Sequence, residues 1–310
     1  MNVQRVVAYE RGLDRFQPLQ TILTYDDFNK GMNGWLDLTP NFTEDSFNAY
    51  PSVIDKSRWA PPMLSTATFS YVGTHGAMEG TYSLKLSTKP VAAPHEAPPV
   101  PGSIGHALKR MSKHSDINHL QAEMWYAYAP EQDRPGLGEE AIRAFGFLFD
   151  VQDTEYRYMP CLRYLNAANG EMKQRWQYGN AAELTDEEWA YGAKGEWHRR
   201  GIDPQWYGRR YPDGTTDGFK EVPDGHQELL YNETNDKINW IYFRLLVDLK
   251  KREYVEFQSK DRVFDLREFK PTLVAPYARI ENLINATLWV ENDTDRGSFL
   301  FVDSIVVSID

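Results

Sequence analysis

Strict alternation of apolar and polar residues is the dominant pattern along this chain. In NWIYFRLLVDL, one face of an extended segment carries Ile241, Phe243, Leu245, Val247 and Leu249. The opposite face carries Trp240, Tyr242, Arg244, Leu246 and Asp248. A period of two residues is typical of a half-buried β-strand, so this segment predicts a strand with one face in a core.

Similar runs recur throughout and are separated by short turn signals. They read TYSLKLST, HLQAEMWYAYA, RAFGFLFDVQ, EYRYMPCLRYL, EMKQRWQYG, EYVEFQS, LINATLWVEN and SFLFVDSIVV. Strands joined by short turns are usually antiparallel neighbours. The pattern therefore predicts an all-β sandwich of two antiparallel sheets. Helical signals are confined to Thr185–Tyr191, which has a capping-box pattern, and to a short stretch at Glu139–Arg143.

Two long irregular stretches interrupt the strands. Pro90–Gly105 is rich in proline, and residues from about 192 to 239 are dense in Gly, Pro, Trp, Tyr and Arg. Loops of this length are uncommon in compact domains unless they are functional or disordered, and the aromatic content argues against disorder. Without an internal repeat or a linker, we expect residues 1–310 to form one domain that contains this insertion.

Composition and charge narrow the classes of partner. Of the 310 residues, 41% are hydrophobic, and 45 acidic against 34 basic residues give a net charge of −11. The acidic surplus argues against a nucleic-acid partner. No run approaches the ~18 apolar residues of a membrane span, and the N-terminus lacks the apolar core of a signal peptide. We therefore expect a cytoplasmic protein without a membrane partner, with its single cysteine, Cys161, as a buried thiol.

The order of the strand motifs carries a family resemblance. An early DDFNKGMNGW is followed by GTYSLKLS, then by INWIYFRLLVDL with YVEFQS, and finally by FLFVDSIVVS. This order resembles the jelly-roll sandwiches of the concanavalin A-like lectin/glucanase superfamily, and it is similar to carbohydrate-binding-module jelly rolls. It also looks like a bacterial family for which the resemblance implies no activity. Over roughly Leu23 to Ile309, the resemblance implies a protein that binds a carbohydrate or glycoside.

Aspartates lie near both ends of the resembled fold. In a jelly roll the first and last strands are commonly neighbours, which would bring Asp26 or Asp27 close to Asp303. In many carbohydrate-binding jelly rolls that corner holds a structural calcium, and such a cation takes about six to eight oxygen ligands. The alternative is that Asp27 caps a turn and that Asp303 pairs with a lysine or a backbone amide.

Aromatic and charged side chains on the polar faces of the strands are the candidate ligand contacts. A sugar ring packs on Trp or Tyr, while charged groups bind its hydroxyls. This pattern favours a groove lined by Glu123, Trp125, Asp150, Arg163, Trp240, Tyr242 and Arg244. The alternative is that the aromatics fill the layers of a large sandwich, since aromatic residues favour strands.

Catalysis in the same groove is a second hypothesis. Glycoside hydrolysis needs two carboxylates about 5–10 Å apart, and Glu123 and Asp150 are the candidates for acid and base. The Glu-x-Asp-x-Glu motif of the superfamily's glucanases is absent. A polysaccharide lyase would instead need a base together with an arginine. Arg163 is the candidate arginine, and the histidines that flank a neighbouring hairpin are His106, His114 and His119.

Two further hypotheses concern the insertion and protein partners. The segment WYGRRY offers Trp206 as a stacking contact if the insertion folds over the groove, and otherwise the insertion would pack on the back of the sandwich. A third class of function is a structural or assembly protein whose aromatic face meets a partner chain. The same face would suit a homo-oligomer interface.

Overall fold

Two antiparallel eight-stranded sheets form the fold in this computed structural model. The structure describes residues 11–35, 62–66, 76–88, 104–112, 117–131, 138–168, 170–179, 219–231, 239–274, 281–292, 294 and 296–310. The described chain also has two 3-10 turns, at Arg11–Arg15 and Glu139–Ala141. No described helix is long and apolar enough to cross a membrane.

The strands follow the predicted runs. The first eight are β1 (Thr21–Asp26), β2 (Met63–Thr66), β3 (Tyr82–Ser87), β4 (Ile104–Ser112), β5 (His119–Pro130), β6 (Ile142–Gln152), β7 (Arg157–Met159) and β8 (Cys161–Ala168). The second eight are β9 (Glu171–Gly179), β10 (Phe219–His226), β11 (Ile241–Asp248), β12 (Glu253–Ser259), β13 (Arg262–Asp265), β14 (Thr272–Val274), β15 (Leu283–Asn292) and β16 (Ser298–Ile309).

The strand order gives a jelly-roll sandwich. Sheet 1 has the order β13-β12-β11-β5-β16-β3-β2, with β1 paired to β16. Sheet 2 has the order β10-β9-β8-β6-β15-β4, with β7 paired to β6 and β14 to β7. Among the described strands, the chain crosses between the sheets from β3 to β4, β4 to β5, β5 to β6, β10 to β11, β13 to β14 and β15 to β16. The predicted all-β jelly roll of two antiparallel sheets, with neighbouring first and last strands, is confirmed.

The core lies between the two sheets because each strand turns its apolar face inward. β11 shows the predicted alternation in full, with every second residue buried and the residues between them half-buried. β6 contributes a facing row, which comprises Phe145, Phe147, Phe149 and Val151. Burial of each such side chain contributes roughly 1.5–3 kcal/mol, so this interior fixes which face of each strand points outward.

Residues 11–20, which we call the N-terminal strap, lie on the outer face of sheet 1. Leu13 and Phe16 pack there against Val306 of β16. The backbone of Gln17 bonds to side chains of β5 on both its N–H and its carbonyl, and Leu19 N donates to the Ser308 hydroxyl over 3.0 Å. The chain's own N-terminal segment therefore covers part of this face.

Two element predictions need correction. The stretch predicted to be irregular from about 192 to 239 contains β10, which pairs with β9. Pro223 and Gly225 hide this strand in the sequence, because both residue types are uncommon inside strands. The pairing with β9 shifts register between Glu221 and His226. The helix expected at Glu139–Arg143 is a single 3-10 turn, since the alternation of β6 begins at Ile142. Thr185–Tyr191 lies outside the described residues.

Candidate functional site

Four of the predicted sugar contacts gather on the outer face of sheet 1. Trp125 in β5 stands directly opposite Tyr242 in β11, and their ring centroids are 5.4 Å apart. Trp240 and Arg244 are two residues to either side of Tyr242, so strand alternation places them on the same face. All four side chains are half-buried, and each keeps surface that a ligand can reach.

Small residues beside this group make room for further aromatic rings. The next two outward positions of β5 are Ala127 and Ala129, both fully buried. Trp240 and Phe299 pack against them from the two flanking strands, because a methyl group leaves room for a ring to lie across the strand. We call the resulting set of half-buried rings the aromatic platform, which comprises Trp125, Trp240, Tyr242 and Phe299.

Three nitrogen donors on this face are buried without a hydrogen-bond acceptor in the described part of the chain. They are Nε1 of Trp125, Nε1 of Trp240 and Nε of Arg244. An unpaired buried donor costs on the order of 1–3 kcal/mol, and native proteins leave few of them. On the outer face of sheet 1, these three unpaired donors belong to neighbouring side chains.

Two cations stand beside the aromatic platform and differ in their partners. Arg244 forms an ion pair with Glu256 of β12. Lys85 of β3 holds its ammonium nitrogen 4.4 Å from the centroid of the Phe299 ring and 5.8 Å from that of Phe301. Burial lowers the pKa of Lys85. Among the described residues Lys85 has no carboxylate partner, and the ring faces stabilise its charge together with the remaining solvent.

Glu123, a predicted catalytic carboxylate, fastens the N-terminal strap. It is fully buried, and its Oε1 accepts from Gln17 N over 2.7 Å and from the Tyr242 hydroxyl over 2.6 Å. Its Oε2 accepts from Gln121 Nε2 over 3.1 Å. Burial and then the charge of Glu123 raise the pKa of Tyr242, so the phenol remains a donor. No part of this carboxylate reaches the surface.

Asp150, the second predicted catalytic carboxylate, lies on the outer face of sheet 2. It is fully buried, and two bonds of 2.5 Å join its oxygens to Arg157. Asn285 Nδ2 donates to it over 2.8 Å. The prediction that Glu123 and Asp150 form an acid–base pair is wrong, because β5 and β6 are consecutive in the chain but belong to different sheets.

Arg163 also lies on sheet 2 and is separated from the aromatic platform by the core. Its Nε donates to Gln177 Oε1 over 2.9 Å, and its guanidinium carbon lies 3.8 Å from the Phe219 ring centroid. Burial lowers the pKa of Arg163 to about 10. The single groove predicted from the sequence is therefore wrong. Trp125, Trp240 and the neighbouring contacts are on one outer face, and Asp150 and Arg163 are on the other.

The sequence interpretation missed Trp289, Phe299 and Lys85. Trp289 lies against Gly146 on sheet 2, where a Cβ on the glycine would come within 2.2 Å of the indole. Its Nε1 donates to Glu291 Oε1 over 2.8 Å. The alternation of inward and outward residues in LINATLWVEN places Trp289 on the outer face of its sheet. The alternation in SFLFVDSIVV does the same for Phe299. The cross-strand contact between Lys85 and Phe299 leaves no local signal.

The negative charges of Asp27 and Asp303 repel each other, but the two carboxylates do not fit a calcium site. Asp303 Oδ2 accepts from the backbone N–H groups of Met78 and Glu79, over 2.5 and 2.8 Å, and such donors oppose a cation at the same oxygen. Asp27 Oδ1 accepts from Asn29 N over 3.1 Å. Among the described residues no three His, Cys, Asp or Glu side chains cluster as a cation would require. The alternative, a turn cap and an acceptor of backbone amides, is what the geometry shows.

The histidines and the cysteine singled out in the sequence lie at separate places in the fold. His119 Nδ1 lies 3.0 Å from Asp310 Oδ2 on sheet 1, whereas His106 is buried in β4 of sheet 2. Cys161 is buried, as expected, and burial raises its pKa. His114 and Trp206 lie outside the described residues, so the contribution of the insertion stays a prediction.

Comparison with known proteins gives one family and several similar structures. A family model described as a domain of unknown function (DUF6772) matches residues 3–310. No curated protein sequence matches the chain. An alginate lyase in complex with an alginate trisaccharide is similar, with 9% identity over 94% of this chain and 98% of that chain and a TM-score of 0.41. A potassium-bound carbohydrate recognition domain has 8% identity, coverage of 89% and 96% and a TM-score of 0.37. Peanut lectin with a 9mer peptide has 8% identity, coverage of 80% and 92% and a TM-score of 0.38.

Proposed function

This chain belongs to the DUF6772 family, and we propose that it binds an oligosaccharide across the aromatic platform of sheet 1. The observation that carries the proposal is the group of three buried donors without acceptors, on Trp125, Trp240 and Arg244. They lie beside half-buried aromatic rings. A ligand for this surface needs a flat apolar face and several oxygen acceptors at its edge.

A sugar has this combination of surfaces. The C–H face of a pyranose packs on an aromatic ring, and its hydroxyl and ring oxygens accept hydrogen bonds from indole and guanidinium N–H groups. Each hydrogen bond contributes about 0.5–1.5 kcal/mol, and pairing a buried donor also removes the larger cost of leaving it unsatisfied. The donors therefore favour bound sugar over the free protein.

The dimensions of the aromatic platform favour more than one sugar ring. Trp240 stands beside β11 and Phe299 is in β16, with β5 between these strands. Two strand spacings amount to about 10 Å, which exceeds the width of a single pyranose. An oligosaccharide laid across β5 would contact both rings.

The carboxylates on this face support binding rather than hydrolysis. Glu123 and Asp303 are fully buried and accept hydrogen bonds from protein donors. Glu256 is engaged by Arg244. Glu79 also lies on this face and forms an ion pair with Arg15. Carboxylates engaged in this way favour binding over the acid–base chemistry of glycoside hydrolysis.

The test is calorimetric titration with a panel of neutral and acidic oligosaccharides. Trp125→Phe and Trp240→Phe keep an aromatic ring but remove the N–H donor. Each variant should bind about 2–10-fold more weakly, the equivalent of one hydrogen bond. Its urea midpoint should not fall, because the variant no longer buries an unpaired donor.

Arg175→Gln is the matched control on sheet 2, where Arg175 forms a surface ion pair with Glu221. This variant should bind like the wild type. A panel in which nothing binds would refute the proposal, and so would wild-type affinity in both Trp→Phe variants.

A further inference from the structure

We infer that the oligosaccharide carries a negative charge and that Lys85 recognises it, an inference that rests on the proposed sugar site. Lys85 is half-buried, and its ammonium stands over Phe299, one of the rings of the aromatic platform. A substituent on a sugar stacked on the neighbouring rings would meet the ammonium at this end of the aromatic platform. Acidic sugars, which bear a carboxylate or a sulfate ester, are the class that this contact selects.

Four other charged groups of this face have partners within the protein, as do two buried carboxylates. Arg244 pairs with Glu256, and Arg15 of the N-terminal strap pairs with Glu79. The buried carboxylates of Glu123 and Asp303 accept hydrogen bonds from backbone and side-chain donors. Lys85 differs from all of them, since in the described part of the chain it forms neither an ion pair nor a hydrogen bond.

The register places Lys85 in line with the aromatic platform. Lys85 in β3 is opposite Phe301 in β16, which is opposite Ala127 in β5. One row across the sheet therefore runs from the cation to the alanine floor against which Trp240 packs. At about 4.8 Å per strand, this row is long enough for adjacent sugar rings to contact the aromatic platform and the ammonium together.

The surroundings of Lys85 strengthen its attraction for an anion. The two phenylalanine rings remove part of its water shell, and burial lowers its pKa, so an anionic partner would restore stabilisation that solvent no longer supplies. The net charge of the chain is −11, which repels anions at long range. A local cation is what an acidic sugar needs to bind such a protein.

The experiment compares probes that differ in charge at constant ionic strength. The probes are tri-galacturonate, its fully methyl-esterified form and a sulfated galactose trisaccharide, titrated into wild type, Lys85→Gln and Lys85→Arg. We expect wild type to bind an acidic probe about 10-fold more tightly than the ester. Lys85→Gln should reduce this preference to within about 2-fold without weakening the ester, and Lys85→Arg should retain it. Whether the carboxylate or the sulfate binds better distinguishes the two sources of charge.

Lys250→Gln, on the exposed turn after β11, is the matched loss of one positive charge and should leave the preference intact. Equal binding of acidic and neutral probes to wild type would overturn the role of Lys85 while leaving the sugar site standing. Equal losses of affinity for all three probes in Lys85→Gln would also overturn the role of Lys85. The same conclusion would follow if wild type bound neutral glycans of the panel but none of the three trisaccharide probes. A wild type that binds no glycan would overturn both proposals.

Discussion

At the scale of single residues, Asp303 shows how strongly the outer face of sheet 1 perturbs an ionisable group. Its carboxylate is fully buried. Burial raises the pKa of Asp303 to about 6, and the charge of Asp27 adds to the rise. Backbone hydrogen bonds from Glu79 and Met78 act in the opposite direction without cancelling the effect of burial.

This raised pKa predicts a specific pH dependence of stability. Below pH 4 Asp303 is protonated in both the folded and unfolded chain, and its contribution to stability is fully present. As pH rises from about 4 to about 6, the unfolded chain loses this proton first, so the contribution is lost. The loss should reach about 3 kcal/mol and change little above pH 7.

Asp303→Asn isolates this contribution, because the titrations of all other groups cancel in the difference between the two proteins. Urea unfolding from pH 3.5 to 8 should show wild type losing stability relative to Asp303→Asn across that window. A difference that stays constant with pH would contradict the raised pKa.

At the scale of elements, the N-terminal strap depends on the buried carboxylate of Glu123. Glu123→Gln keeps the side-chain volume but replaces one carboxylate oxygen by an NH₂ donor. In one orientation this NH₂ would face Gln17 N and the Tyr242 hydroxyl, and in the other it would face the Gln121 amide. The mismatch should lower the free energy of unfolding by about 1–3 kcal/mol.

Hydrogen exchange at the Gln17 amide is the local readout for that variant and should become faster. Glu228→Gln, at an exposed position, removes a carboxylate without touching the N-terminal strap and should change neither quantity. Unaltered protection of Gln17 in Glu123→Gln would show that the carboxylate does not hold this segment.

The elements also show what could be predicted from the sequence. Alternation gave the inward and outward faces of β11 correctly, because each strand buries one face regardless of its neighbours. It could not show that β5 and β6 belong to different sheets, since a short connection joins paired strands and opposed strands alike. The prediction therefore placed Glu123 and Asp150 together. Nor could it show that a segment near the N-terminus would cover Glu123, a contact between residues more than a hundred positions apart.

At the scale of the whole molecule, buried tyrosines join the two sheets across the core. The Tyr254 hydroxyl of sheet 1 accepts from Cys161 N over 2.8 Å and lies 2.9 Å from Gly179 O, both in sheet 2. The Tyr158 hydroxyl of sheet 2 donates to Leu249 O, beyond β11, over a longer 3.4 Å. Burial raises the pKa of Tyr158, so its phenol remains a donor. These bonds satisfy backbone groups that neither sheet pairs by itself.

The geometry predicts a graded effect when each hydroxyl is removed. Tyr254→Phe keeps the ring but leaves the buried Cys161 N–H without its acceptor, so it should lower the free energy of unfolding by about 1–3 kcal/mol. Tyr158→Phe removes only a long, weak bond to a carbonyl and should cost less than about 1 kcal/mol. Urea midpoints at constant m-value measure both changes. Both residues are remote from the aromatic platform, so glycan affinity should be unchanged in either variant. If Tyr158→Phe proved as costly as Tyr254→Phe, the loss would reflect core packing rather than the bond that ties β12 to β8.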